Sequence, residues 1–456
     1  MALMMLSWSF QVNDLNLSFA QELEQKATKY LKSWARIFRN AKLSLLYGSR
    51  ENFGLELTSV SMLYQQCQVS KCYIVKHSSD PLVAKLYQER LVRESQFTRV
   101  WKPCPQLEDL ESQVRFHDKF GGQIGRAGLG LTVDHSSHKD KVKAILKKGF
   151  HDAFHSADCT KALQGVNTRF HDCIPFDLSW NHLLSTRNPA LVSWVLNASI
   201  NSVCTPDMLK LWNYVSNAQC GLCGHECCSI SHILSSCKTA LTQKRYTWRH
   251  DSCLLTLKPF LEARIKEANE NPPVVDTAPA KIAFIRAGET ERIGSKQKIL
   301  HLLSNSNDWQ LLVDFDHANI VFPVNICITK ERPDIVIWSL SSKRVILIEL
   351  TCPMEENIMD ARTRKNARYG GDSQNQESLI DQIKGNEWSP VLLTIEVGAR
   401  GMVSRSVIRT MHKLGFARSN TKTIYKKLSR VVASCSFAIF RCQKVKEWQS
   451  KPLVEL

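Results

Sequence analysis

The stretch that decides the fold is Arg332-Pro333-Asp334-Ile335-Val336-Ile337-Trp338, followed after the turn Ser339 to Lys343 by Arg344-Val345-Ile346-Leu347-Ile348-Glu349-Leu350. β-Branched and aromatic residues fill both runs and a polar turn divides them, which reads as a hairpin of two strands. Fourteen residues separate Asp334 from Glu349. A hairpin of that length returns the chain so that both carboxylates meet at one end of the sheet. A glutamate after Val345 to Ile348 is costly if it is buried alone. A divalent cation relieves that cost, and two carboxylates plus a backbone oxygen suit Mg2+, or Mn2+ in its place. Such an ion activates water and stabilises a phosphate transition state. A purely structural hairpin is the alternative.

Around the hairpin, further short β-rich runs lie at Leu311 to Phe315 and Val391 to Val397, with a helix ending near Ile299 to Leu303 and another over Glu355 to Tyr369. Alternation of helix and strand marks a separate α/β unit with a short mixed sheet. Residues 266 to 281, KEANENPPVVDTAPAK, are polar, hold three prolines and form the best linker. Upstream of the linker the pattern is helical.

Residues 216 to 257 concentrate cysteine and histidine. Cys220, Cys223, His232 and Cys237 follow the pattern C-x2-C-x8-H-x4-C. Four soft ligands at this spacing close a tetrahedron around Zn2+. One helical turn over Ser231 to Ser236 brings His232 and Cys237 together, and a segment with so little apolar core gains its order from the metal. The competing reading is a cluster of buried free thiols, and His225, Cys227 or Cys228 could replace a ligand. In the downstream triplet Arg249-His250-Asp251, His250 reads either as a partner behind the zinc ligands or as a helix cap.

The N-terminal half reads as helices. Phe19, Leu23, Ala27, Tyr30, Leu31, Trp34 and Phe38 recur at spacings of three and four over residues 15 to 38. Lys26, Lys29, Lys32 and Arg36 fill the other faces, either as a solvated side or as a surface for phosphates. Helices follow at Leu57 to Val69 and Pro81 to Glu94. Gly121, Gly122, Gly125, Gly128 and Gly130 mark a break. Residues 138 to 215 are again mostly helical, with Trp180, Trp194 and Trp212 as core or interface residues.

In the 456 residues, hydrophobic residues are 43% and charged residues 23%, which excludes disordered and collagenous chains. Lys and Arg number 60 against 43 Asp and Glu, a net charge of +17. Residues 401 to 456 hold twelve Lys and Arg against two acids, more than half of that excess. A basic surface of this size suits a polyanion, with a solubilising helix face as the alternative. No stretch approaches the roughly 18 apolar residues that a spanning helix needs. Met1 to Phe10 lacks the basic start of a signal peptide, so the 16 cysteines are expected as thiols or metal ligands.

The Pro-Asp…Glu arrangement is that of the PD-(D/E)xK nuclease superfamily. With the C-x2-C-x8-H-x4-C knot before it, the order of parts resembles the C-terminal end of non-LTR retrotransposon polyproteins that carry a restriction-like endonuclease. RPDIVIW, VILIELTCP and the helix with Lys365 and Tyr369 agree with it. Residues 29 to 64, KYLKSWARIFRNAKLSLLYGSRENFGLELTSVSMLY, are similar to the thumb that follows the polymerase palm in these elements. The resemblance implies an α+β multidomain chain: a thumb-like helical region (1–115), a helical linker region (116–215), a CCHC zinc knuckle (216–257), a linker (258–285) and a restriction-like endonuclease domain (286–456). It implies metal binding by Asp334 and Glu349, nicking of DNA, contact with DNA or element RNA, and a nuclear setting.

Two departures qualify what the resemblance implies. The superfamily's lysine lies two residues after the glutamate, where this chain has Thr351. Lys365 is the candidate to replace it, with Arg364 and Arg368 as alternatives, and Tyr369 positions substrate or packs behind the site. Glu289, Glu291, Asp314 and Asp316 are candidate upstream acids. The chain has no Asp-Asp dipeptide, so the polymerase signature is missing and no reverse transcriptase activity is expected. The alternative to a nicking endonuclease is a non-catalytic nucleic-acid-binding relic or co-opted protein, and a decayed copy is a third reading.

Overall fold

The computed structural model describes residues 2–13, 15–96, 101–120, 137–175, 188–270, 301–315, 321–370 and 378–449. The chain divides into two compact units, Met1–Thr168 and Arg169–Leu456. Glycines 121 to 130, Trp180, residues 271–281 of the linker and the helix end at 299–300 lie outside the described residues.

The first unit is helical: α1 (Ala2–Val12), α2 (Leu17–Trp34), α3 (Ser44–Tyr47), α4 (Val60–Lys76), α5 (Pro81–Ser95), α6 (Pro103–Phe120) and α7 (His138–Cys159). Helix α4 is the hub, packing against α1, α2, α5, α6 and α7. Its start is set by Ser59, whose Oγ accepts the Met62 N–H at 3.2 Å. Pro81 at the first turn and Asp80 as the cap begin α5. Val69, Cys72, Tyr87, Leu107, Leu110 and Val142 fill one core, and Phe10, Ala20, Val60 and Tyr64 another. The charged Lys42 ammonium is buried but satisfied by Asp158 Oδ2 at 2.8 Å and Asn167 Oδ1 at 2.6 Å.

The aromatic stripe expected to be the packed face of α2 is not. Phe19, Tyr30 and Trp34 are 43%, 58% and 76% exposed. The helix instead buries Ala20 and Thr28, with Thr28 Oγ1 2.7 Å from the Tyr47 hydroxyl. Smaller side chains let α4 approach closely, which the aromatics would prevent. The border expected at 115 falls inside α6.

The second unit is α+β. It contains α8 (Pro189–Ala198), α9 (Pro206–Leu211), a helical turn at His232–Ser236, α10 (Lys238–Thr242) and α11 (Arg245–Glu270). Then come β1 (Trp309–Val313), β2 (Ile335–Ser339), β3 (Arg344–Thr351), α12 (Ile358–Gly370), α13 (Leu379–Gly385), β4 (Ser389–Glu396), α14 (Arg405–Lys413) and α15 (Arg418–Arg441). The sheet order is β1-β2-β3-β4: β2 is antiparallel to β1 and β3, and β4 is parallel to β3. The chain passes α12 and α13 between the parallel pair, as a crossover requires.

Both faces of the sheet are covered, which explains why Ile335 to Trp338 of β2 and Val345 to Ile348 of β3 are continuous apolar runs. Ile335, Ile337, Ile346, Ile348 and Leu350 face a core shared with Leu254, Leu257 and Leu261 of α11 and with α14 and α15. Val336, Trp338, Val345 and Leu347 face the other way, toward Tyr369, Leu379, Ile383 and Trp388. Helix α11 runs unbroken through residue 257, where a border was expected, and takes in residues 258–270 of the expected linker 258–285. Among the described residues, no helix is long and apolar enough to cross a membrane.

Leu347 is fully buried in the second of these cores. Leu347→Ala is expected to cost about 2–5 kcal/mol of stability, read from the urea midpoint of the full chain at unchanged slope.

Candidate metal centre and carboxylate site

The cysteine–histidine knot forms as a turn followed by a short helical element. Gly224, at φ +73°, allows the reversal in which Gly224 N–H donates to Cys220 O at 2.9 Å. The Ser231–Ser236 segment expected as one helical turn forms over His232–Ser236. Cys220, Cys223, His232 and Cys237 place their ligand atoms all within 4.8 Å of one another. Cys220 Sγ lies 3.9 Å from Cys237 Sγ, and Cys223 Sγ lies 3.3 Å from His232 Nε2. The edge of a tetrahedron built on Zn–S bonds is roughly 3.7 Å, so this donor set fits zinc. Burial raises the Cys220 thiol, but the N–H groups of Cys223 and Leu222 prevail and lower it. Burial first, and then the neighbouring His225, push the His232 ring below its ordinary pKa, in the direction of the neutral form that ligates.

The alternative ligands are not in the group. Cys227 is exposed, and the His225 ring stacks on that of His232, centroids 4.7 Å apart. Cys228 is buried behind Cys220, its thiol pushed up first by burial and then by Cys220. The knot is tied to α11 through Tyr246, whose hydroxyl accepts the Cys237 N–H at 3.0 Å and donates to Ile233 O at 2.9 Å. Arg249, buried in α11, donates from Nη2 to Leu234 O and to Cys352 O, each at 3.0 Å. One guanidinium therefore spans the knot and the residue just past β3.

The carboxylates expected together are together. Ile335 pairs with Ile348, so the next rung sets Asp334 opposite Glu349, and Asp334 N–H donates to Glu349 Oε1 at 3.2 Å. Glu349 is 1% exposed. Burial first, and then Asp334, push its carboxyl up to about 7. Lys365 of α12 works against that shift, its Nζ 2.5 Å from Glu349 Oε2. The Tyr369 hydroxyl donates to Arg332 O at 3.3 Å, burial first and then the charge of the nearby Glu349 push it up, and its ring lies within the core.

Thr351 ends β3 with its hydroxyl buried and without a hydrogen-bond partner among the described residues. Arg364 and Arg368 do not reach the site: Arg364 Nε contacts Asp360 O at 3.4 Å, and Arg368 pairs with Glu331 at 2.8 Å. Asp314 follows β1 in the rung beside Asp334, donating its N–H to Asp334 O at 2.9 Å. Its Oδ1 is buried without a partner. Glu289, Glu291 and Asp316 lie outside the described residues.

His250 is the residue that sequence reasoning misplaced. It neither backs a zinc ligand nor caps a helix. From α11 its Nε2 lies 3.3 Å from Asp334 Oδ2 and 3.2 Å from Leu350 O, and its Nδ1 lies 3.1 Å from Asp251 Oδ1. Burial opposes charge on this ring, yet the bonds to Asp251 and Asp334 hold its pKa well above the ordinary value. In return, burial raises the Asp334 carboxyl, but His250, the charge of Lys365 and the Leu350 N–H together bring it below its ordinary value. The sole sequence signal was a polar triplet within a helical run. Elsewhere in this unit, Arg405, Arg409 and Lys413 on α14, and Arg418 and Lys422 on α15, are exposed at spacings of four, a row on each helix. Lys451 lies outside the described residues.

In the carboxylate site both Glu349 oxygens are engaged, Oε1 by the Asp334 N–H and Oε2 by Lys365. Two carboxylates stand on neighbouring strands, and Asp334 Oδ1 accepts no hydrogen bond from the described residues, because both contacts of that carboxylate fall on Oδ2. No protein-family model matches the chain, and no curated protein matches it in sequence.

Two measurements test the centres. Purified chain is expected to carry zinc at a one-to-one ratio by metal analysis, falling sharply in Cys237→Ser, with loss of helicity on chelation. Glu349 favours the folded state when protonated, its carboxyl lying near pH 7 rather than the ordinary 4.5. Its stabilising contribution is therefore complete below pH 4.5 and lost as pH rises through about 7. In zinc-loaded, magnesium-free buffer, the Tm should fall more between pH 5 and 8 for wild type than for Glu349→Gln.

Proposed function

We propose that the second unit is a divalent-cation-dependent DNA endonuclease of the restriction-like kind carried by non-LTR retrotransposons, which nicks target DNA in the nucleus. The observation that carries this reading is the Lys365–Glu349 contact at 2.5 Å beside Asp334. An ammonium supplied from α12 does what a lysine at position 351 would do: it stands beside the acidic pair, available to a phosphate or an attacking water. A sheet of three antiparallel strands followed by a parallel one agrees with a restriction-like core. Asp334 and Glu349 would hold Mg2+ or Mn2+, which when bound supplies an activated water and charge stabilisation on the phosphate.

The chain's own groups have separable roles. Lys365 balances charge at the scissile phosphate. Tyr369 fixes Glu349 from behind and carries the start of β2 through Arg332. The exposed rows on α14 and α15 hold the DNA backbone by phosphate contacts that salt weakens. The zinc knot, through Tyr246 and Arg249, keeps α11 fixed against the end of β3. The helical first unit is read as thumb-like, an additional hold on DNA or element RNA.

A non-catalytic nucleic-acid binder is the second reading, favoured by Thr351 and by an ion pair that satisfies Glu349 without a metal. Supercoiled plasmid incubated with the full chain and Mg2+ or Mn2+ separates the two. Nicking is expected, absent in Asp334→Ala and Glu349→Gln and slowed about 10²-fold or more in Lys365→Ala. DNA retained by the wild type in a salt-dependent manner, with no nicking under any divalent ion, would establish the binding reading instead.

A further inference from the structure

We infer that His250 is a positioning residue for Asp334, holding that carboxylate by Oδ2 so that Oδ1 is presented outward. The inference rests on the nuclease reading of the carboxylate site and adds a residue to it. Three independent contacts fix the ring. Nδ1 is turned toward Asp251 Oδ1 at 3.1 Å, and Nε2 is shared between Asp334 Oδ2 at 3.3 Å and Leu350 O at 3.2 Å. All three partners are acceptors, so both ring nitrogens donate. Leu350 N–H also donates to Asp334 Oδ2, at 2.7 Å. His250, Asp334 and Leu350 thus close a triangle in which both contacts to the Asp334 carboxylate fall on Oδ2. That leaves one orientation for the carboxylate and one oxygen open.

The base of the triangle is rigid. Arg249, the preceding residue, is anchored to Leu234 O, Cys352 O and Ser436 Oγ at 3.0 Å each. Cys253, one turn on, is fully buried against the sheet. The imidazole cannot drift without moving α11. At the same time the His250 and Asp334 side chains keep 24% and 16% exposure, so the pair lies at the mouth of the site and not within the core. Residues that orient a ligating carboxylate in this way change metal affinity and turnover by about 10- to 100-fold when removed, although they touch neither substrate nor metal.

The test uses the zinc-loaded full chain and Mn2+ as the probe, with free Mn2+ followed by electron paramagnetic resonance and nicking followed in single turnover. His250→Gln can return a donor near the place of Nε2, whereas His250→Asn offers one only near that of Nδ1. His250→Ala is expected to weaken Mn2+ binding about 10- to 100-fold at unchanged zinc content and Tm. His250→Gln should recover most of the loss and His250→Asn little of it. Wild-type affinity and rate in His250→Ala would overturn the inference and leave the nuclease reading standing. A loss of equal size in all three variants, with lowered Tm, would also overturn it, assigning His250 to structure alone. Wild-type chain that binds no Mn2+ in a manner abolished by Asp334→Ala overturns the nuclease reading itself, and the inference with it.

Discussion

The charge of Glu349, at the end of four buried aliphatic residues, is the constraint around which the second unit is organised. A carboxylate there has no water to solvate it, so each neighbouring element supplies compensation. Strand β2 gives the Asp334 N–H, and α12 gives Lys365 and Tyr369. Asp334 in turn draws His250 from α11 and the Leu350 N–H from β3. Strands and helices on both faces of the sheet therefore converge on one point by polar contacts, while their apolar faces pack elsewhere.

Residues whose partners are close in sequence, or fixed by strand alternation, were legible before the structure. The hairpin, the opposition of Asp334 and Glu349 and the metal-ligating quartet all follow from counting along the chain. Lys365 was found by resemblance, since nothing in the spacing of a helix residue announces that it reaches a strand sixteen positions earlier. His250 was noticed but assigned to the wrong neighbour. Proximity in sequence to Cys237 suggested the zinc, whereas the helix beginning at Arg245 points the ring at the sheet. The face of α2 was misread for a different reason. Aromatics at helical spacing look like core, but Ala20 and Thr28 permit the close approach that packing against α4 demands.

The zinc knot and the sheet are also less separable than composition implies. Arg249 is wholly enclosed, yet each of its bonds ends on a different segment: the knot, the exit of β3 and α15. Removing it would leave two buried acceptors and a partly buried one without its donation, a larger penalty than the loss of any one of those bonds. A cysteine-rich segment that reads as a small independent module is in this chain one corner of a larger core.

Helix α11 carries Tyr246 for the knot, Arg249 for the junction and His250 for the carboxylates within two turns. Each added or deleted residue in an α-helix rotates everything beyond it by about 100°. A single-residue insertion between Tyr246 and Arg249 would therefore turn the arginine and the histidine away from their partners together, while leaving all four zinc ligands in place. Point substitutions can be absorbed one contact at a time, but the length of this segment cannot drift, and a knuckle borrowed from elsewhere would serve this sheet only if it arrived in phase.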